Sequence, residues 1–178
     1  MESKDPIDSE TPCLLDVVQK TLNEQEWSFE VKDFPGEEES RKIVQAGCSG
    51  QNGSYRLTVD VNASNHCIVI YVTSQIKVPQ DKRHLVAEYL TRANYGMVLG
   101  NFEMDFRDGE VRYKGSINVD GGFLAPRMFS RLLGCATVSM DRYFAQMMAI
   151  IYGGKSPVDA LAEVEGGKQS QEPASSSQ

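Results

Sequence analysis

The sequence predicts an α+β fold built on a mainly antiparallel sheet. Two observations support this prediction. Helical and strand patterns are grouped along the chain instead of alternating. Their order is helix, three or four strands, helix, two strands, helix. Such grouping is typical of α+β proteins. In addition, Asp108-Gly109 is a two-residue turn signal flanked by alternating polar and apolar residues, which predicts a β-hairpin within residues 100–119.

The first half of the chain is predicted to contain one helix and up to four strands. Thr11-Pro12 resembles an N-cap followed by proline at the first helical position, and apolar residues then recur at helical spacing, so a helix is expected over about 12–25. Strand-like alternation is found in four segments, residues 27–31, 42–48, 55–61 and 67–73. The last of these is apolar at nearly every position, which is typical of a central strand covered on both faces.

The second half contains the hairpin and three helical regions. The helical regions are a helix over about 79–96, a long region that ends at Gly153-Gly154, and a short last helix over about 156–164. The long region can kink or divide at its small and polar residues, Gly134, Thr137 and Ser139.

The hairpin prediction includes a register. Folding about Asp108-Gly109 gives two apolar pairs on one face, Phe106 with Val111 and Met104 with Tyr113. The other face then carries three opposite-charge pairs, Arg107 with Glu110, Asp105 with Arg112, and Glu103 with Lys114. Apolar pairs on one face and charged pairs on the other agree with a single register.

Length and composition indicate one folded domain. The chain has 178 residues, of which 40% are hydrophobic, enough for an independent core. We expect a flexible acidic N-terminus over 1–10, a single domain over 11–164, and a disordered tail over 165–178, where the composition is rich in Gly, Ser and Gln.

The charge and the cysteines limit the location and the partners. The formal net charge is -7, which argues against binding to nucleic acid or to an anionic membrane surface. No secretory signal and no apolar run long enough to span a membrane is visible. The four cysteines are scattered without metal-ligand spacing, so we expect reduced thiols in a cytoplasmic protein.

No motif in the sequence predicts catalytic residues, a metal site or a cofactor. Residues 153–156 (GGKS) resemble the end of a phosphate-binding loop, but the earlier glycine is missing and a helix precedes them, so a helix end explains them better. The glycine-rich residues 47–53 are expected to form a hairpin loop. His66 and His84 are isolated in the sequence and are expected on the surface. The chain is therefore expected not to be an enzyme.

Six residues are candidates for a protein-interaction surface. Four are charged residues of the hairpin, Glu103, Asp105, Arg112 and Lys114. Their main role is expected to be structural, with some influence on the choice of partner. Met148 and Ile150 fall off the main apolar stripe of the long helix and are expected to cover a second surface, such as a dimer contact. Together with the strand at 67–73, which is apolar on both faces, these two residues form an apolar surplus that predicts a homodimer that binds a protein partner.

Two segments resemble the YbjN-domain family. They are ANYGMVLGNFEMDFRDGEVRYKGSINVDG and, further along, MDRYFAQMMAIIYGGKSP, and the upstream GQNGSYRLTVDV and VPQDKRHLVAEYLTRANYG are similar in style. The resemblance covers roughly 12–160. Members of this family are bacterial proteins described as sensory-transduction regulators, and their fold resembles type III secretion chaperones, with the order α-β-β-β-α-β-β-α.

The resemblance implies a small, often dimeric module that binds proteins, and it implies no catalytic residues. We therefore expect a non-enzymatic interaction module, chaperone-like or regulatory, that acts as a homodimer. One alternative is a small-molecule sensor or enzyme with a pocket between the sheet and the long C-terminal helix. Another is a structural subunit of a larger assembly.

Overall fold

The computed structural model describes residues 13–37 and 39–169, and the side chains of 13–37 and 39–166. Within these ranges the chain forms, in order, α1 (Leu14–Glu24), β1 (Phe29–Asp33), β2 (Arg41–Ser49), β3 (Ser54–Asn62), β4 (Cys67–Ser74), a 3-10 turn (Gln80–Lys82), α2 (Arg83–Tyr95), β5 (Asn101–Met104), β6 (Val111–Asn118), α3 (Pro126–Gly153) and α4 (Pro157–Gln169). The six strands form one sheet in the order β1-β2-β3-β4-β6-β5, and every neighbouring pair is antiparallel. The predicted α+β class is confirmed.

The element order agrees with the residue patterns, which allow four strands before the second helix and include a short last helix, whereas the order α-β-β-β-α-β-β-α implied by the resemblance has one strand and one helix fewer. Four strands precede α2, because the segment around residue 29 does pair with β2 and forms the edge strand β1. The predicted short last helix is α4, which follows the long helix and extends to Gln169, past its expected end at about 164. Thr11 and Pro12, the expected start of α1, lie outside the described residues, as do 1–10 and 170–178.

One face of the sheet carries the helices. Helix α3 packs against β4 and β6, and α1, α2 and α4 pack in turn against α3. On β3 and β4 the residues that face the helices are fully or almost fully buried, namely Tyr55, Leu57, Val59, Val61, Ile68, Ile70 and Val72. Two ring contacts hold α3 on this face, Tyr55 with Phe144 (5.4 Å) and Phe102 with Tyr143 (5.3 Å). The core is therefore a single layer between the sheet and the helices.

The predicted hairpin register is wrong by two residues. Met104, not Phe106, lies opposite Val111, and Glu103 lies opposite Arg112. The connection is a loop over 105–110, closed by hydrogen bonds from Asp105 N to Glu110 O (2.9 Å) and from Gly109 N to Asp105 O (2.7 Å). Because the shift is an even number of residues, each side chain keeps its predicted face.

A tertiary contact determines the longer turn. Gly109 has φ +80° and packs so closely against Val78 that a Cβ atom would lie 2.2 Å from the Val78 carbonyl oxygen. Val78 N donates a hydrogen bond to Gly109 O (2.9 Å), and Lys77 forms an ion pair with Asp108. The turn signal at Asp108-Gly109 thus marks a real chain reversal, but the segment before α2 selects its length.

Helix α3 is continuous over its 28 residues, so the long region does not divide into two helices. The hydroxyl of Thr137 donates to Leu133 O (3.1 Å) and Gly134 O (3.2 Å) of the preceding turn instead of capping a new helix. Buried residues recur from Phe129 to Ile151, and this unbroken contact with the sheet outweighs the weak helix propensity in the middle. Among the described residues, no helix combines the length and the apolar run needed to cross a membrane.

Candidate protein-interaction surface

The side of the sheet that faces away from α3 is called here the outer face. Its residues alternate with the buried ones along each strand, so that Thr58 and Asp60 of β3 point away from the core that contains Leu57 and Val59. All four helices lie in the layer on the other side. Within the described ranges, the outer face is therefore the largest part of the sheet without a covering layer.

The centre of the outer face is partly apolar. Val69 and Tyr71 of β4 and Ile43 of β2 project there, and each is half-buried. We call these three residues the outer apolar strip. Ile43 and Val69 lie opposite the same β3 residue, Asp60, and Tyr71 lies opposite Thr58. β4 is indeed a central strand, but the prediction that it is covered on both faces is wrong for the described part of the chain. Its outward apolar residues are shielded only by the polar side chains around them.

An ion cluster borders the strip on the β5–β6 side. Arg112 donates to the Glu103 carboxylate from Nε (2.8 Å), with Nη2 at 2.7 Å, and Lys114 Nζ donates to the same carboxylate (3.2 Å). Partial burial raises the pKa of Glu103, but the hydrogen bonds from Arg112 and Lys114 outweigh this effect and the net pKa is lowered. Glu103 is therefore ionised at neutral pH and holds two cations at the border of the apolar strip.

A second ion pair lies on the β2–β3 side. Arg41 makes a two-pronged contact with Asp60, from Nε to Oδ1 (2.9 Å) and from Nη2 to Oδ2 (2.7 Å), and its guanidinium carbon lies 3.7 Å from the Phe34 ring centroid. The hydrogen bond with Asp60 raises the pKa of Arg41. This geometry fixes the planar guanidinium, so the charged border on this side is also ordered.

The structure brings together three of the six predicted interaction residues. Glu103, Arg112 and Lys114 form the ion cluster on the outer face. The fourth charged residue, Asp105, instead binds Arg107 within the loop, at 2.6 Å from the guanidinium and 2.8 Å from the backbone nitrogen. These two hydrogen bonds lower the pKa of Asp105 to about 2, and the predicted pair with Arg112 does not form.

Met148 and Ile150 do not form a second exposed surface. Ile150 is fully buried and Met148 packs partly buried against the core. The expectation failed because α1, α2 and α4 all pack against α3, so α3 is covered on more than its sheet side. A dimer contact through Ile150 is therefore excluded by its burial within the monomer.

Sequence reasoning missed the outer apolar strip, although a signal was present. Of the residues of 67–73 that face away from the core, the two central ones, Val69 and Tyr71, are large and apolar, whereas the residues of β3 that face the same way are polar. This difference is typical of a strand that is covered on both faces. The same pattern is also typical of a sheet surface that binds another molecule.

A cleft forms a second candidate site. It has a volume of about 780 Å³ and lies between the β2–β3 turn and helices α3 and α4. Its apolar lining includes Trp27, Val138, Ala145 and Val164, and its polar lining includes Asp141, Arg142, Gln146 and Glu163. The cleft borders the long helix, so it is the place where the small-molecule alternative would put a ligand.

The charged groups of the cleft already have partners within the chain. Asp141 accepts hydrogen bonds from Tyr55 Oη (2.7 Å), Asn52 N (2.9 Å) and Gln51 N (3.0 Å). Burial raises the pKa of Asp141, but these hydrogen bonds outweigh it and the net pKa is lowered. Arg142 Nη2 donates to Val164 O (2.5 Å). Asp141 therefore holds the β2–β3 turn against α3. Its hydrogen bonds with Tyr55, Asn52 and Gln51 are called here the Asp141 clip.

The nucleophilic group of the cleft is not activated. Burial, with a smaller contribution from the negative charge of Asp141, raises the pKa of the Cys48 thiol to about 11. The same two causes, with the hydrogen bond to Asp141, raise the pKa of Tyr55. Both groups are protonated at neutral pH, so the arrangement does not supply a thiolate or a phenolate.

The other sequence candidates have structural explanations. Gly154 adopts the left-handed conformation that ends α3, and Lys155 Nζ donates to Gln146 (2.9 Å) and Glu163 (2.7 Å) instead of facing an open loop. His84 packs against the Phe106 ring (5.6 Å), and His66 lies exposed in a turn with φ +47°. No group of three or more His, Cys, Asp or Glu residues suited to a metal ion occurs within 13–37 and 39–169.

Comparison with known proteins identifies the family. The family model of YbjN, described as "Putative bacterial sensory transduction regulator", matches residues 14–148, which span α1 through most of α3. The chain belongs to the YbjN family. The search of curated proteins gave no match.

A solved structure shares the YbjN fold. It is described as "Crystal structure of YbjN, a putative transcription regulator from E. coli", and it aligns with a TM-score of 0.56 at 13% sequence identity. The alignment covers 76% of this chain and 91% of that chain. At this identity the likeness concerns the fold. The fold and the family predicted from the sequence are thus confirmed.

Proposed function

We propose that this YbjN-family chain is a non-enzymatic, regulatory protein-interaction module that acts as a homodimer and binds its partner on the outer face. The observation that carries the proposal is the outer apolar strip, which lies between two ordered ion pairs and has no helix over it in the described chain. A half-buried apolar centre with a charged border is the usual anatomy of a protein-binding surface.

The charges of the outer face favour a protein over a nucleic acid. Each cation that borders the strip, Arg41, Arg112 and Lys114, is paired with a carboxylate. Binding to a phosphate backbone needs uncompensated cations, and the chain as a whole carries a net charge of -7. A partner with apolar side chains for the strip and polar groups for its border fits the surface better.

A binding role is also supported by the state of the reactive groups. The Cys48 thiol, with a pKa of about 11, is protonated at neutral pH, and the Asp141 carboxylate is occupied by the β2–β3 turn. Neither group is set up for nucleophilic or general-base catalysis.

The proposal is tested by capture with matched variants. Wild-type protein, Tyr71→Ala and Tyr152→Ala are compared as cross-linked baits in source-cell lysate. Tyr152 lies on α3, away from the outer face, and is 71% exposed. We expect a partner that is retained by wild type and Tyr152→Ala and lost with Tyr71→Ala. A partner retained equally by all three baits, or none captured by wild type, would contradict the proposal. Circular dichroism establishes that the variants are folded.

The cleft favours a second candidate function, a small-molecule sensor. The chain has one tryptophan, Trp27, and it lines the cleft. A ligand that enters the cleft should therefore change the tryptophan fluorescence and raise the melting temperature. A metabolite panel without either response rejects this candidate. A metabolite that gives a response is assigned to the cleft if the response is lost in Val138→Glu, which places a charge on the lining.

A further inference from the structure

The two edges of the sheet differ in how their backbone is covered. At β5, the side-chain amide of Asn94 on α2 accepts a hydrogen bond from Phe102 N (2.7 Å) and donates one to Phe102 O (3.0 Å), so the chain itself closes this edge. At β1, the only strand partner in the described ranges is β2, and four of the five residues are exposed. β1 is therefore the edge at which another strand can be added.

The outward backbone groups of β1 follow from its pairing with β2. Phe34 N donates to Arg41 O (3.1 Å), so these two residues form a hydrogen-bonded pair just beyond the end of β1. Hydrogen-bonded and non-hydrogen-bonded pairs alternate along an antiparallel ladder. The residues whose N–H and C=O groups point away from β2 are therefore Phe29, Val31 and Asp33. Within residues 13–37 and 39–169, they form an unpaired ladder with Val31 at its centre.

The two charges that β1 carries on the outer face are symmetric about Val31, whereas the third charge of the strand, Asp33, forms an ion pair with Lys42 of β2. Glu30 and Lys32 flank Val31 on the outer face, side by side, with Lys32 Nζ 3.1 Å from the Glu30 carboxylate and bonded to Gln45 Oε1 (2.8 Å). In an antiparallel pair of two β1 strands with the two-fold axis at Val31, each Glu30 lies opposite the partner's Lys32. An axis at Glu30 or at Lys32 would place like charges opposite each other. The charge pattern thus selects one register.

We propose that two copies of the chain pair through β1 in this register and join their six-stranded sheets into one continuous sheet. Phe29 and Asp33 of each copy, together with Val31 at the axis, complete the hydrogen-bonded ladder. This proposal rests on the homodimer of the proposed function and names its interface. Pairing edge to edge leaves both outer faces on the same side of the joined sheet, so the dimer presents two adjacent copies of the outer apolar strip.

The occupant is a second copy and not an arbitrary strand, because charges on an edge strand oppose pairing with most sequences. Here the two charges have opposite sign at symmetric positions, so self-pairing neutralises both of them. A ladder of five residues is short compared with a standard interface. The dimer is therefore expected to dissociate on dilution.

Charge reversal provides a test that distinguishes pairing from misfolding. Sedimentation velocity is measured over a concentration series for wild type, Glu30→Lys, Lys32→Glu, their equimolar mixture and the double variant. We expect each single variant to raise the dimer dissociation constant about ten-fold or more, because both cross-strand pairs become repulsive. The mixture should form a heterodimer and the double variant should dimerise like wild type, because opposite charges again face each other.

A charge change outside β1 serves as the control for the β1 interface. Glu88→Lys makes the same charge change on the exposed face of α2 and should dimerise like wild type. A wild type that stays monomeric across the series overturns the proposal, as do single variants that dimerise like wild type or a mixture that stays monomeric. If dimerisation fails in this way while Glu30→Lys and wild type capture the same partner, the proposed β1 interface is wrong and the interaction function stands.

Discussion

The guanidinium carbon of Arg112 lies 4.4 Å from the centroid of the Tyr71 ring, while the nitrogens of the same group bind the Glu103 carboxylate. A planar guanidinium can stack on an aromatic ring and donate hydrogen bonds from its edge at the same time. Arg112 therefore joins the ion cluster to the outer apolar strip, and it fixes the position of the largest side chain on the outer face.

Replacing Arg112 with lysine should reduce stability, although the charge is kept. Lysine cannot make the two-pronged contact with Glu103 while covering the Tyr71 ring, so we expect a loss of about 0.5–1 kcal/mol in the free energy of unfolding. Urea denaturation measures it. Arg92→Lys on α2, where the arginine makes an exposed contact with Glu88, should change stability by less. Equal effects at the two positions would show that the contact with Tyr71 contributes nothing.

The ion cluster should make stability depend on pH. The pKa of Glu103 is lower in the folded chain than its ordinary value of 4.5. A lowered folded pKa means that the contribution of Glu103 to stability is fully present above the unfolded pKa and is lost as pH falls through the folded pKa. Glu103→Gln should therefore be less stable than wild type at pH 7, by about 0.5–1 kcal/mol, and the difference should shrink below pH 4.5.

Thermal unfolding at a series of pH values checks this prediction. Glu88→Gln, which removes the carboxylate of an exposed helix pair, is the matched control for the loss of an exposed ion pair. A Glu103→Gln difference that is constant with pH would contradict the assignment of the lowered pKa to Arg112 and Lys114.

Alanine substitutions at two glycines distinguish the stability cost of backbone strain from that of a packing clash. Gly109 and Gly121 both have positive φ, but an added Cβ atom would overlap Val78 only at Gly109, whereas the space at Gly121 is open. Gly121→Ala should lower the free energy of unfolding by about 1 kcal/mol, because alanine is strained in the left-handed conformation. Gly109→Ala should lower it by about 2–4 kcal/mol, because Val78 must also move. Chemical denaturation of both variants measures the difference. Equal costs would mean that the 105–110 loop does not depend on its contact with Val78.

The Asp141 clip should behave as one coupled unit. Tyr55→Phe removes one of its hydrogen bonds and should cost about 1 kcal/mol, and Asp141→Ala removes all of them and should cost about 3 kcal/mol. In the double variant the hydrogen bond from Tyr55 is lost only once. Its loss in free energy of unfolding should therefore be smaller than the sum of the two single losses by about 1 kcal/mol. Denaturation of the four proteins gives this coupling energy, and strict additivity would contradict the contact.

The fold was predictable where local patterns and tertiary packing agree. The strands at 55–61 and 67–73 were found because alternation and β-branched residues mark them, and their faces were assigned correctly on the core side. The register of the hairpin was not predictable, because the contact between Gly109 and Val78 that lengthens the turn is distant in sequence. Local signals identified the chain reversal but not the length of the loop.

The candidate site was predictable only in part, for a similar reason. The charges of Glu103, Arg112 and Lys114 lie on one face in either register, so their association was expected. Ile150 is buried although it lies off the main apolar stripe of α3, and no local pattern indicates how α1, α2 and α4 pack around that helix. The exposure of Val69 depends on all helices lying on one side of the sheet, and the apolar pattern of β4 alone cannot show this.

Site-specific photo-crosslinking in the source cell tests the central claim most directly. A photoreactive amino acid is placed at Val69 on the outer apolar strip or, as the control, at Tyr152 on α3. We expect a discrete adduct with another protein from position 69 and none from position 152. The account would be contradicted if position 69 gave no adduct, or if both positions gave the same adducts to the same extent.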